Sequence, residues 1–138
     1  MFAFSSLDVN LGLMVSSALH DLGKEGQAAR VDSLNFKARL EFVEDYVQTA
    51  AEVLPEAAEE IKAWVAQADI ARSQRNQLVH GRWVIDPQKR KAINIVGVPS
   101  DDTQKAIEYT IEELEAVGEE FRRLNDSLSL ARQRWHLP

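Results

Sequence analysis

Apolar residues recur along this chain at intervals of three and four, the rhythm of helices with one buried face. Residues 6–22 set Leu7, Leu11, Met14, Val15 and Ala18 on one stripe, and Gly23 and Gly26 interrupt it. Residues 29–53 repeat the rhythm with Val31, Leu34, Leu40, Val43 and Val47, while Phe36, Phe42 and Tyr46 widen the face. Pro55 suits the first turn of a new helix, where its missing N–H costs nothing. From there to His80 the stripe is Ile61, Trp64, Val65, Ala68 and Ala71, and Gly81 fits the position just past a helix end.

The pattern changes at Trp83. Val84-Ile85 and Ile93-Asn94-Ile95-Val96 are β-prone, and Asp86-Pro87-Gln88-Lys89 between them is turn chemistry, so a β-hairpin is expected. Pro99-Ser100-Asp101-Asp102 then offers an N-cap and acids for a last helix over residues 103–135. Its seam runs from Ile107 and Ile111 through Leu114, Gly118, Phe121, Leu124 (or Asn125), Leu128 and Ala131 to Trp135. The steps of four and three average about 3.5 residues, which suits bundle packing or a helix pair between subunits. The expected fold is all-α: an up-and-down bundle of four main helices, with a small β-hairpin before the last long helix.

At 138 residues the chain is sized for a single domain, 1–138, with a core of its own. Apolar residues make up 45% and charged residues 28%, the balance of a soluble globular chain. It has no cysteine, which excludes disulfides, thiol catalysis and cysteine-based zinc, and fits a cytoplasmic location. The N-terminal stretch lacks a basic region and Asp8 interrupts it, so no signal peptide is read there. No run approaches the roughly 20 apolar residues of a membrane span, and no membrane partner is expected.

The net charge of −6 argues against nucleic acid, but its distribution does not. Residues 72–91 hold six basic side chains (Arg72, Arg75, Arg82, Lys89, Arg90, Lys91) against the single acid Asp86. That segment carries +5, which leaves −11 on the other 118 residues. Such a patch is either a footprint for an anionic partner or a solvated hairpin tip.

The candidate chemistry lies at the end of the third helix. Arg72, Asn76 and His80 are spaced four apart and line one stripe. Arg75 lies roughly 140° around the helix from His80 and about 7.5 Å along it, so one straight helix does not bring the two together. A two-fold dimer can, by setting Arg75 of one subunit beside His80 of the other. Such a pair could transfer a phosphodiester in RNA: histidine, with an ordinary pKa of about 6.5, moves the proton. An arginine fork holds the phosphate and its growing charge, and Asn76 can bond the phosphate or orient the imidazole. No metal and no cofactor are expected, since His20 and His136 are isolated. The plainer alternative has His80 bonding the last helix carbonyls, Arg72 and Arg75 solvated or paired with acids, and Trp83 lying as a lid on the core.

Arg75-Asn76-x-x-x-His80-Gly81, on the third of four long helices and with Arg72 upstream, resembles the HEPN family (higher eukaryotes and prokaryotes nucleotide-binding). The family motif is an arginine, a polar residue, a short spacer and a histidine. The resemblance implies a homodimeric, metal-independent endoribonuclease with both motifs facing a cleft at the dimer interface. It implies a place in a toxin–antitoxin or anti-phage system, with a cognate antitoxin protein as a partner. Arg75, Asn76 and His80 would be catalytic, and Arg72, Arg82, Lys89, Arg90 and Lys91 would contact the RNA backbone. The alternative of another class is a non-catalytic HEPN-like module for dimerisation, nucleotide binding or protein-partner binding.

Overall fold

A computed structural model describes residues 2–49, 51–97 and 104–138. Four long helices are present: α1 (Phe2–Asp21), α3 (Phe36–Thr49), α4 (Pro55–His80) and α5 (Ile111–Trp135). The short α2 (Glu25–Ala28) and a 3-10 turn, Val31–Ser33, lie between α1 and α3. The expected second helix is therefore shorter than residues 29–53: Val31 sits in the 3-10 turn and Asn35 opens α3, its Oδ1 accepting the Ala38 N–H at 2.8 Å. Pro55 does stand in the first turn of α4.

Contacts run α1–α3, α3–α4, α4–α5 and α5–α1, closing a ring around the core. The stripes read from the sequence fill it: Leu7, Leu11, Met14 and Val15 of α1, Leu40, Val43 and Val47 of α3, Ile61 and Ala68 of α4, and Leu124 and Leu128 of α5 are buried. Trp64 is buried too and donates its Nε1 hydrogen to the Leu124 carbonyl at 2.9 Å, which ties α4 to α5 without an orphaned indole N–H.

The topology is not up-and-down. Phe4 packs on Phe36 and Asp8 pairs with Arg39, so the beginnings of α1 and α3 lie together and the two helices run parallel. Residues 22–35 carry the chain back between them. Phe4 on Phe121 and Asn10 bonded to Asn125 show the same sense for α1 and α5. Only α4 runs against its neighbours, as Glu60 with Arg134 and Gln67 with Arg123 mark. Arg39 is the hinge of this arrangement: buried, it donates from Nη1 to both the Asp8 carbonyl and carboxylate and from Nη2 to the Val31 carbonyl.

The hairpin is one strand larger than expected. β1 (Arg82–Asp86), β2 (Lys91–Val96) and β3 (Lys105–Thr110) form an antiparallel sheet in that order, with Val84 opposite Ile93 and Asn94 opposite Ile107. Asp86 Oδ1 accepts from the Gln88 and Lys89 N–H groups and shapes the β1–β2 turn. The expected N-cap at residues 99–102 lies outside the described residues, and α5 begins at Ile111 rather than near 103. Thr110 and Glu113 form a capping box there. Ile107 accordingly belongs to a strand, and the α5 seam proper starts at Leu114. From Phe121 to Ala131 that seam packs inside the chain, against α1 and α4.

The unbroken α1 also revises the reading of the N-terminus. Over 18 residues its mean hydropathy is 1.3, and among the described residues it is the one helix long and apolar enough to cross a membrane. Here its apolar stripe packs against α3 and α5 as a core helix does.

Candidate functional site

α4 stays α-helical through His80, so Arg75 and His80 keep the separation that the helix imposes. Arg75 turns inward. Its guanidinium carbon lies 4.5 Å from the centre of the Phe4 ring, a cation–π contact, and Nη1 donates to Asn76 Oδ1 at 3.3 Å. Its Nε is buried without a hydrogen-bond partner, and no carboxylate pairs with it among the described residues. Asn76 thus steadies Arg75, not the imidazole of His80.

Arg75 and Asn76 open onto a pocket of about 400 Å³. Arg72 lines it from α4, Phe4 and Asp8 from α1, and Asn35, Phe36 and Lys37 from the first turn of α3. The charges there can be matched one by one. Arg72 Nε is bonded to Asp69 at 2.8 Å, and Asp8 is bonded to Arg39 at 2.9 Å. Arg75 and Lys37 are left without carboxylate partners among the described residues. The N-terminal end of α3 adds the partial positive charge of its dipole. The unpaired charges of Arg75 and Lys37 and the start of α3 thus give this concavity a positive balance that would favour an anion. Asn35, Phe36 and Lys37 were missed from the sequence because they lie some forty residues from the motif; only the parallel packing of α1 and α3 brings them to Arg75.

His80 stands apart from this pocket, exposed in the last turn of α4. The helix end is closed by other groups. Trp83 Nε1 donates to the Leu78 carbonyl at 2.8 Å, Asn94 Nδ2 approaches the same oxygen at 3.5 Å, and the Gly81 N–H bonds the Gln77 carbonyl. The His80 imidazole has no hydrogen-bond partner among the described residues, so the capping role is filled without it. Gly81 is not a left-handed cap: its φ is −77°. Glycine is required for space, since a Cβ would come within 2.0 Å of Asn94 Oδ1.

The remaining basic residues do not converge on the pocket. Arg82 starts β1, whereas Lys89 and Arg90 sit at the far end of the hairpin, some 13 Å away at about 3.3 Å per residue. Lys91 is paired with Glu108 across the sheet at 3.3 Å. Trp83 is half-exposed and tilted against Tyr109, with ring centres 5.9 Å apart. Beyond the pocket, burial and then the nearby Asp21 raise the Tyr46 phenol, and the hydrogen bond from Arg123 holds Glu120 below the usual carboxylate range. No group of three or more His, Asp or Glu side chains that could hold a metal ion occurs among the described residues. Compared with known proteins, the chain matches no family model, no curated protein and no solved structure.

Proposed function

We propose that this chain is a metal-independent endoribonuclease acting as a homodimer. Arg75 of one copy holds the scissile phosphate in the cationic pocket, and the partner subunit's His80 moves the proton. The 2′-oxygen loses its proton to the imidazole and bonds to phosphorus. The bond from phosphorus to the 5′-oxygen breaks, and the leaving oxygen takes up a proton. Arg75 stabilises the charge that grows on the phosphate oxygens. Asn76 holds its guanidinium in place, and Arg72, Arg82 and Lys37 add attraction for the backbone.

One observation carries this reading: neither Arg75 nor His80, the two residues the chemistry needs, is paired with a carboxylate among the described residues. Arg75 is half-buried against Phe4 and lines the cationic pocket, and the helix end that His80 could have capped is capped by Trp83 and Asn94. The resemblance to HEPN proteins supports a setting in toxin–antitoxin or defence biology, with a cognate antitoxin protein as partner. A second reading, phosphate or nucleotide binding without cleavage, is favoured by the pocket's gathering Arg75, Arg72 and Lys37 without His80.

The test is cleavage of a fluorescent single-stranded RNA in EDTA by wild type, Arg75→Ala and His80→Ala, alone and mixed. Each single variant is expected to be inactive, and the mixture to regain part of the activity through heterodimers with one complete site. RNA bound but left intact by the wild type selects the second reading. Undiminished cleavage by both variants overturns the proposal.

A further inference from the structure

We infer that the apolar pocket on the other side of Arg75 is a nucleobase subsite, taking the base of a nucleotide whose phosphate lies on Arg75 and Lys37. The inference rests on the phosphate-binding part of the reading above and adds how the rest of the nucleotide is held. This second pocket encloses about 440 Å³ between α4, α5 and the start of β1. Ligand sites commonly span about 300–1,000 Å³. Phe4 and Arg75 line both pockets, so the cationic and apolar spaces adjoin at these two side chains. A flat ring joined to a phosphate uses both; an uncharged apolar ligand would use only one.

Two features of the apolar pocket point to a ring. The first is Trp83. Its indole is fixed by the bond to the Leu78 carbonyl and by Tyr109, yet remains 40% exposed. A stacking surface already held still loses little side-chain freedom when a base settles on it. The second is Gly118, in the interior of α5, where glycine costs about 1 kcal/mol relative to alanine. Packing does not require it, because a Cβ at Gly118 would meet nothing within 4 Å. Its effect is to leave open space in the wall of the pocket that Leu78 and Val79 also line.

The experiment measures binding of adenosine 5′-monophosphate, ribose 5-phosphate and inorganic phosphate to the full chain by calorimetry. The nucleotide is expected to bind about tenfold more tightly than ribose 5-phosphate, the effect of one stacked base. Gly118→Leu fills the pocket and is expected to bring the nucleotide down to the ribose 5-phosphate level while leaving ribose 5-phosphate unchanged. Trp83→Leu keeps the apolar surface and removes the ring, so it is expected to lose the same preference; circular dichroism establishes that each variant folds. Arg75→Ala is expected to weaken all three ligands. Equal affinities for nucleotide and ribose 5-phosphate, both sensitive to Arg75→Ala, overturn the base subsite and leave the phosphate reading standing. A nucleotide preference that survives Gly118→Leu and Trp83→Leu places the base elsewhere and also overturns it. Failure of all three ligands to bind removes the subsite and the phosphate reading together.

Discussion

Gly81 and Asn94 occupy each other's space, and the result is a joint between the helix bundle and the sheet. Asn94 is buried on the middle strand, reaches the last turn of α4, and leaves no room for a Cβ on Gly81. Gly81→Ala should therefore destabilise the fold by overpacking, about 1–3 kcal/mol in urea denaturation, although its φ suits any residue. Arg39 is a second residue on which the packing depends. Asp8→Ala removes one charged acceptor from a buried guanidinium and should cost about 2 kcal/mol. His80→Ala differs from both and should cost about 1 kcal/mol or less, and Arg75→Ala, which loses its contact with Phe4, about 1–2 kcal/mol, while each abolishes RNA cleavage. The motif residues are thus separable from the structural ones by comparing melting with activity.

At the scale of elements, the sequence reading failed where two periodicities overlapped. Ile107 and Ile111 are four apart and look like successive turns of one helix. Between them, however, Ile107 and Tyr109 alternate with polar Glu108 and Thr110, and β2 offers an edge on which that alternation is satisfied by a full ladder. Tyr109 meets Trp83, and Glu108 meets Lys91. The helix then starts at a stronger signal, Thr110 with Glu113, than the run of acids further back. Thr110→Ala should remove the cap and lower stability by about 1 kcal/mol, with the loss of helicity confined to the start of α5, as read by amide exchange.

For the whole molecule, the relevant question is what completes the site. The α5 seam is buried within the chain, so it no longer argues for a helix pair between subunits. The case for a dimer now rests on Arg75 and His80, which one continuous helix holds apart. Sedimentation equilibrium at micromolar concentration should show a two-fold dimer; a monomer that still cleaves RNA would exclude the shared site. RNA affinity should fall steeply between 50 and 200 mM salt, on the order of tenfold for every two phosphates contacted, through release of bound counterions. Because Lys91 is paired and Lys89 and Arg90 lie at the hairpin tip, their alanine variants should weaken binding less than Arg75→Ala or Lys37→Ala.

The sequence by itself determined that four long helices form and which faces they bury, though not where the second and the last begin, because a helix with an apolar stripe has one way to leave water. It also singled out Arg75, Asn76 and His80, since their spacing and residue types are local facts. It did not contain the direction of the helices: residues 22–35 fold back so that α1 and α3 run parallel, a result of packing between segments distant in the chain. Only the tertiary structure decided that Arg75 points inward onto Phe4, that Lys37 and the end of α3 join it, and that Trp83 and Asn94 close the helix and leave His80 exposed. Each of those outcomes depends on which surfaces meet, and contacts between remote segments leave no periodic trace in the sequence.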